Sequence, residues 1–465
     1  MFVQQLYTNC LAEAAYYIES NGEAAIIDPI REIESYIALA KNRGAVIKYV
    51  FETHFHADFV SGHIDLAKQT GATIVFGPLA DTAYDVYHAT DGEEFNVGHL
   101  TMRVLHTPGH TPESSSFLLL DNNYQEYCVF TGDTLFVGDV GRPDLLDGKM
   151  TSEDLASMLY DSLNNKIKTL PDEVLVYPAH GPGSSCGKNI GKETWSTIAH
   201  QKKTNYALRE MSREEFVNAV TQDLTAPPAY FFEDARINKQ GYDAIDEVIR
   251  KNNKPLSIAD FKSAVESGAV ILDTRPSDDF KKGFIKDAIN IGLEGMFAIW
   301  VGTVIEVGKK LVLVCSPGKE EESIIRLARV GYENILGVLD NGIEPWKKSG
   351  LHLETMVCVE PEEFAERVNE GATVVDVRKF SEAENGHIKN AFVIPLSDLK
   401  KNLSALNRDE MIYVHCAGGY RSMIASSILK ANGFNKVTNV HYGWNKIKDC
   451  NVPIVTGVPD NTVAD

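Results

Sequence analysis

Four short apolar runs in the first 180 residues each lead into a side chain that can bind a metal. Val46-Ile47-Lys48-Tyr49-Val50-Phe51 reads as a buried strand and opens onto Thr53-His54-Phe55-His56-Ala57-Asp58-Phe59, just before the turn Ser61-Gly62-His63. His110 follows Leu105-His106-Thr107-Pro108-Gly109, Asp133 follows Val129-Phe130-Thr131-Gly132, and His180 follows Val174-Leu175-Val176-Tyr177-Pro178-Ala179. Strands that deliver His and Asp at their ends, each near a Gly or Pro, have the layout of a metal site at the edge of a sheet.

The pattern changes after residue 255. Pro361-Glu362-Glu363-Phe364-Ala365 opens a helix with Pro in its first turn. Thr373 to Val377 and Met411 to His415 are short apolar strands, and Ser422 to Leu429 has apolar residues at roughly helical spacing. Alternating strands and helices imply a parallel sheet covered on both faces. This half also repeats. Leu272-Asp273-Thr274-Arg275…Gly283-Phe284-Ile285-Lys286-Asp287-Ala288…Ile291 aligns with Val375-Asp376-Val377-Arg378…Gly386-His387-Ile388-Lys389-Asn390-Ala391…Ile394, and seven of the twenty positions from 272 to 291 are identical. Leu311 to Cys315 and Ile412 to Cys416 form a second matching pair. A repeat of roughly 100 residues is too long for a solenoid unit, so it reads as two copies of one domain. The intervening stretch, from Thr221 through Pro227-Pro228 to Pro255, has no strand pattern and is expected to wrap the first domain.

A chain of 465 residues fits about three domains of ~150 residues. Expected limits are 1–230, including the start of the linker, 255–353 and 355–465. The net charge of −20 argues against nucleic acid and anionic membrane as partners. No apolar run approaches the ~20 residues that span a bilayer, and Met1 to Cys10 has no signal-like character. Seven cysteines without a pairing pattern fit a reducing, cytoplasmic setting. A homo-oligomer is expected.

The H-x-H-x-D stretch, T-P-G-H-T, T-G-D-T-L-F and P-A-H-G resemble the metallo-β-lactamase fold over roughly residues 1 to 225. The resemblance implies an αββα sandwich with metal between two sheets. Two-metal members, such as glyoxalase II, carry His directly after the motif Asp; here that position is Phe59, which has no lone pair to give. The chain is more similar to the one-metal branch, the persulfide dioxygenases related to the ethylmalonic encephalopathy protein. That resemblance implies one Fe(II) per chain held by His54, His110 and Asp133, a 2-His-1-carboxylate set that leaves positions open for substrate and O2. It places His56, Asp58, Tyr177 and His180 around the ligands or substrate. Arg142 and Asp144, in Gly141-Arg142-Pro143-Asp144, resemble this branch too and are expected to form a buried pair bracing the ligand loop. Cys186, in a glycine-containing loop six residues after His180, is expected either to return to the cleft and handle sulfur or to be a passive loop residue.

Cys416-Ala417-Gly418-Gly419-Tyr420-Arg421 lies between a strand and a helix. Glycines let such a loop curl so that backbone N–H groups point at the sulfur. The helix dipole and Arg421 are expected to add to the field that stabilises a thiolate nucleophile. The loop, with Asp376-x-Arg378 and Gly386-His387-Ile388, resembles the rhodanese sulfurtransferases over about 355 to 458. It is one residue shorter between Cys and Arg than in cysteine phosphatases of the related fold, which suits a persulfide sulfur rather than a phosphoryl group. The middle copy has Cys315-Ser316-Pro317-Gly318-Lys319-Glu320-Glu321-Glu322 instead. It lacks the Arg, Pro317 removes an N–H, and three Glu residues are expected to disfavour a thiolate.

These resemblances together imply a persulfide dioxygenase–rhodanese fusion, α/β throughout, with a degenerate middle rhodanese domain. Its substrates would be a low-molecular-weight thiol persulfide, O2, and sulfite or thiosulfate. The alternative is a zinc thioester hydrolase of the glyoxalase II type with the rhodanese copies as binding modules.

Overall fold

Strand Ser115–Leu120 shows how the first part of the chain is layered. All six of its residues are buried, but they face two different cores. Phe117 and Leu119 join Tyr16, Ile18, Phe51 and Phe130 between two sheets. Leu118 and Leu120 point the other way, onto Ala156 and Leu159 of helix Ser152–Ser162. A period of two across a sheet buried on both faces produces this continuous apolar run. Phe117→Ala would cost ~3–5 kcal/mol.

The computed structural model describes residues 1–145, 150–222, 224, 226–459 and 461–462. Linker positions 223 and 225 and the expected domain end, 463–465, lie outside the described residues. The chain forms two compact units, Met1–Val248 with Ile325–Tyr332, and Ile249–Ile324 with Glu333–Asp465.

The first unit holds two six-stranded sheets. One runs in chain order from Phe2–Thr8 to Tyr87–His88 and includes Val46–Glu52. The other runs in reverse order from Ser196–Thr197 through Leu175–Pro178, Glu126–Gly132 and Ser115–Leu120 to Glu94–Val97. With helices outside, this is the αββα sandwich. Val46 itself is exposed, but burial is continuous from Val50 to Val60, so the whole H-x-H-x-D loop lies inside. The linker carries two helices, Tyr230–Gln240 and Ile245–Asn252. Its part up to Val248 belongs to the first unit: Arg31 donates to the Asp243 carbonyl at 2.6 Å and stacks over Tyr242.

In the second unit a five-stranded sheet (order Pro255–Leu256, Ile335–Leu339, Leu311–Val314, Val270–Asp273, Ile289–Asn290) precedes a six-stranded one centred on Ile412–His415 and Thr373–Asp376. Every pairing in both is parallel. The internal repeat is a repeat of backbone as well. Asp287 and Asn390 take φ of 66° and 65°, and Asn341 and Tyr442 take 55° and 57°. Asp and Asn tolerate this left-handed region; Tyr442 does not do so readily. Among the described residues no helix is long and apolar enough to cross a membrane.

Candidate metal centre and cysteine loop

His54, His110 and Asp133 converge at strand ends in the first unit, all buried. Asp133 Oδ2 lies 3.4 Å from His110 Nε2 and 3.8 Å from His54 Nε2. Local bonds fix which atom each ligand offers. Thr53 Oγ1 donates to Asp28 Oδ2 at 2.8 Å, so its oxygen must accept from His54 Nδ1–H at 2.9 Å. His110 Nδ1–H donates to the Arg142 carbonyl at 2.8 Å. Both histidines therefore turn an Nε2 lone pair inward. His54 Nε2, His110 Nε2 and Asp133 Oδ2 are all buried without a hydrogen-bond partner. Three orphaned donor atoms facing one another are costly unless a cation fills the space. The residues fit a single metal.

The groups around this triad are equally committed. Asp133 Oδ1 accepts from His180 Nδ1 at 2.7 Å, and His180 Nε2 lies 2.8 Å from Asp58 Oδ2. Burial opposes charge on His180, yet the two aspartates carry its pKa well above the usual range. Burial likewise opposes ionisation of Asp133, but His180 and His110 hold its carboxyl well below the usual range. His56 Nε2 sits 3.2 Å from Asp28 Oδ1. Phe59 is fully buried, with its ring 4.4 Å from that of His56. Arg142 pairs bidentately with Asp144 at 2.6 and 2.7 Å, and its own carbonyl orients His110. Gly141 is required beside it: a Cβ there would lie 2.1 Å from the Asp133 carbonyl and 2.9 Å from His110 Nδ1. Cys186 is buried, and its sulfur lies within 4.8 Å of ligand atoms of Asp58 and His180. Burial, then the charges of Asp58 and Asp133, push its thiol well up. Tyr177 stands apart from these groups. It packs against Tyr16 and Phe130 between the sheets, and burial first pushes its hydroxyl up to about 12.

Three residues that position this site escaped the sequence analysis. Asp28 ends the apolar run Ala24-Ala25-Ile26-Ile27, the same strand-end signal that marked the ligands. Thr53 sits beside His54 in the motif itself. Asn238, on the linker helix, donates to the His56 and Phe59 carbonyls at 2.7 and 2.8 Å and accepts from Ser61 N–H at 2.9 Å. It clasps the whole motif loop, and nothing local in the sequence announces it.

In the second unit Cys416 is buried at the end of strand Ile412–His415, before helix Tyr420–Ala431. Gly419 N–H donates to its Sγ at 3.1 Å, with Gly419 at φ 104°. The segment Tyr442-Gly443-Trp444 lies under the loop. Trp444 N–H donates to the Cys416 carbonyl at 2.6 Å, and a Cβ on Gly443 (φ 52°) would lie 2.2 Å from that oxygen. Asn445 N–H holds the Ala417 carbonyl at 3.0 Å, and Gly418 lies beside the Asn445 side chain. Tyr420 donates to the Gly292 carbonyl of the middle copy at 2.7 Å. Arg421 does not face the sulfur unaccompanied: Glu382, unforeseen from the sequence, takes both its Nη atoms at 2.6 and 2.8 Å.

Cys315 occupies the same place in the middle copy, and its thiol is pushed up to about 11. Burial is the largest cause; Asp273 and Glu320 add to it, while bonds to Ser323 and Thr274 oppose it. The glutamates after Cys315 are thus a secondary influence and burial the primary one. Glu320 stands five residues after Cys315, where Arg421 stands after Cys416.

The metallo-beta-lactamase superfamily model matches residues 8–180, and the rhodanese-like domain model matches 257–349 and 360–450. The chain is 34% identical over 200 residues to persulfide dioxygenase ETHE1 of Bos taurus, covering 43% of this chain and 71% of that protein. It is 32% identical over 176 residues to a cytoplasmic hydroxyacylglutathione hydrolase of Arabidopsis thaliana, covering 37% of this chain and 65% of that one. A solved metallo-beta-lactamase from Staphylococcus aureus subsp. aureus COL superposes with a TM-score of 0.64 at 32% identity, covering 73% of this chain and 98% of its own. The chain therefore belongs to the persulfide dioxygenase family of the metallo-β-lactamase superfamily, here joined to two rhodanese-like domains.

Proposed function

We propose that the first unit oxidises a low-molecular-weight thiol persulfide with O2, using one Fe(II), and that Cys416 transfers sulfane sulfur to or from sulfite. The observation that carries the reading is the set of three orphaned atoms, His54 Nε2, His110 Nε2 and Asp133 Oδ2. Their donor set suits non-haem iron with open positions. Iron held there would supply the site at which persulfide sulfur and O2 meet. The net change is RSSH + O2 + H2O → RSH + SO3²⁻ + 2H⁺. The outer sulfur gives up four electrons and O2 accepts them.

The chain's own residues do the rest. Thr53 and the Arg142 carbonyl hold the two imidazoles in the tautomer that offers Nε2. His180 fixes Asp133 through its other oxygen, and Asn238 keeps the motif loop closed. At Cys416 the thiolate attacks the outer sulfur of a persulfide RSS⁻; the new Cys–S–S⁻ keeps that sulfur and RS⁻ leaves with the bonding pair. Sulfite then attacks the outer sulfur of Cys416–S–S⁻, giving thiosulfate and regenerating the thiolate. Thiosulfate can enter by the reverse of this step. All seven cysteines are free, in keeping with a reducing compartment such as the cytoplasm.

The hydrolase relative and the cluster Asp58, His180, Cys186 favour a second reading, a two-metal thioester hydrolase. Against it, both His180 nitrogens are engaged by aspartates, and Phe59 stands where a further ligand is needed. Metal content and O2 consumption on glutathione persulfide separate the two. One iron per chain with O2 uptake supports the dioxygenase. Two tightly bound metals with thioester hydrolysis and no O2 uptake would overturn it. Phe59→His is expected to raise affinity for a second metal.

A further inference from the structure

The one cation of the Cys416–Arg421 loop is already neutralised. Glu382 grips Arg421 with two hydrogen bonds, Nη1 to Oε2 at 2.6 Å and Nη2 to Oε1 at 2.8 Å. The same carboxylate accepts the Lys379 N–H at 3.0 Å at the start of helix Phe380–Ala383, so it is held in place from its own side. Glu382 keeps its charge. Burial works against ionisation, but Arg421 and the Lys379 amide pull its pKa below the usual range. The nearby Arg378 is no substitute, since its Nε and Nη2 are bound to Asp376 at 2.9 and 2.6 Å. The remaining loop positions, Ala417, Gly418, Gly419 and Tyr420, carry no charge.

We infer that Glu382 is a specificity-determining residue of the sulfur-transfer site: an internal anion that occupies the Arg421 fork and must be displaced by any anionic sulfur donor or acceptor. A bidentate guanidinium–carboxylate pair is among the strongest charged contacts a side chain makes. Thiosulfate or sulfite reaching Cys416 meets both an occupied guanidinium and a like charge. An uncharged donor meets neither obstacle. The inference rests on Cys416 being the transfer site and names what that site selects against. In the reaction concerned, Cys416–S⁻ attacks the sulfane sulfur of S–SO3²⁻. The Cys–S bond forms, the S–S bond to the sulfonate breaks, and sulfite departs with the electron pair. Glu382 takes no part in this bond exchange; it acts through Arg421.

The middle copy supports the pairing logic. Asp279 stands at the position of Glu382, one hundred and three residues earlier, but the copy has Glu320 instead of Arg421. Asp279 there pairs with Lys282 on the surface at 2.8 Å. Where the loop arginine is gone, the internal anion has turned to another partner.

The test compares two sulfur donors on the full-length protein: thiosulfate, a dianion, and an uncharged organic trisulfide, each with cyanide as acceptor. In Glu382→Gln the KM for thiosulfate is expected to fall about fivefold, the upper end for a partly exposed charged pair. The ratio of kcat/KM for thiosulfate to that for the trisulfide should rise by the same factor. Glu382→Asp, which keeps the charge, should stay near the wild-type ratio. A merely structural role would lower both donors together and leave the ratio alone. An unchanged or lowered ratio in Glu382→Gln overturns the inference. If Glu382→Gln does not fold, Glu382→Ala takes its place: a raised ratio supports the inference, and a wild-type ratio overturns it. Wild-type protein that transfers sulfur from neither donor would instead overturn the role of Cys416 itself.

Discussion

Two cysteines end equivalent strands in the second unit, and their surroundings are alike up to the sulfur. Arg275 binds Asp273 through Nε and Nη2 at 2.9 and 2.5 Å and reaches the Gly283 carbonyl at 2.9 Å. Arg378 binds Asp376 at 2.9 and 2.6 Å and reaches the Gly386 carbonyl at 2.8 Å. The glycine after each loop's supporting strand, Gly342 or Gly443, passes close under the cysteine carbonyl. The difference begins at the loop. Cys416 receives the Gly419 amide and has Arg421 five residues on; Cys315 has Ser323 Oγ at 3.4 Å and Glu320 at the corresponding place. The Asp–Arg–Gly motif is common to both copies, so it belongs to the fold. On the proposed assignment, what distinguishes a transfer site is one amide, one arginine and the absence of a proline.

The comparison breaks most sharply if the wrong cysteine matters. Cys416→Ser is expected to cut sulfur transfer from persulfide or thiosulfate by about a thousandfold or more, the scale of losing a nucleophile. O2 uptake should persist, with sulfite accumulating where the wild type forms thiosulfate. Cys315→Ser should alter neither assay. Sulfite and thiosulfate, separated by chromatography during turnover, give the answer. An essential Cys315 would reverse the assignment of the two loops.

Asp133→Ala tests the other half in the same way. It removes the carboxylate of the triad and leaves His180 Nδ1 without its acceptor. Iron should be lost from protein purified without oxygen, and O2 uptake with it. Thiosulfate:cyanide transfer through Cys416 should remain. Loss of both activities while the fold is kept would mean that the sites are not independent.

The buried ion pairs offer a quantitative check. Arg378→Ala and Arg275→Ala each strand a buried aspartate, a change worth ~3–5 kcal/mol. The middle copy should lose more. Asp376 has His415 Nε2 3.8 Å away, whereas Val314 occupies that place beside Asp273. Burial accordingly raises the Asp273 pKa even with its arginine present, while His415 and Arg378 lower that of Asp376 against burial. Denaturant unfolding of the two variants, followed by fluorescence, measures the order. A clearly larger loss for Arg378→Ala would show that the last copy depends more on the brace.

The sequence shows the candidate ligands because each lies at the end of an apolar strand, and backbone geometry alone carries such residues to a sheet edge. It shows the repeat because seven identities keep one register. Asn238 was not readable: its three bonds cross to the motif from a helix in a linker with no pattern of its own. Glu382 was not readable for a related reason, since a charge in a short helix looks like any solvated residue until the fold brings Arg421 to it. The resemblance places Tyr177 near the site, but the two-residue period of strand Leu175–Pro178 turns its ring into the inter-sheet core. Local sequence carries periodicity and strand ends; it does not carry contacts between distant elements.

The smallest effect concerns the chemistry left to Cys315. Burial, aided by Asp273 and Glu320, raises its thiol to about 11. Alkylation requires the thiolate, so at pH 8 only about a thousandth of the thiol is reactive. The sign follows directly: a raised thiol pKa means that reactivity appears as pH rises toward that value. Labelling of the Cys315 peptide by iodoacetamide, read by mass spectrometry, should therefore climb about tenfold per pH unit from pH 7 to 10 without levelling. Restricted access to the buried sulfur lowers every rate on this line but leaves its slope. Circular dichroism across the same range separates titration from unfolding. A plateau below pH 9 in folded protein would show a thiolate stabilised in the middle copy, and the contrast between the two loops would then rest on Arg421 alone.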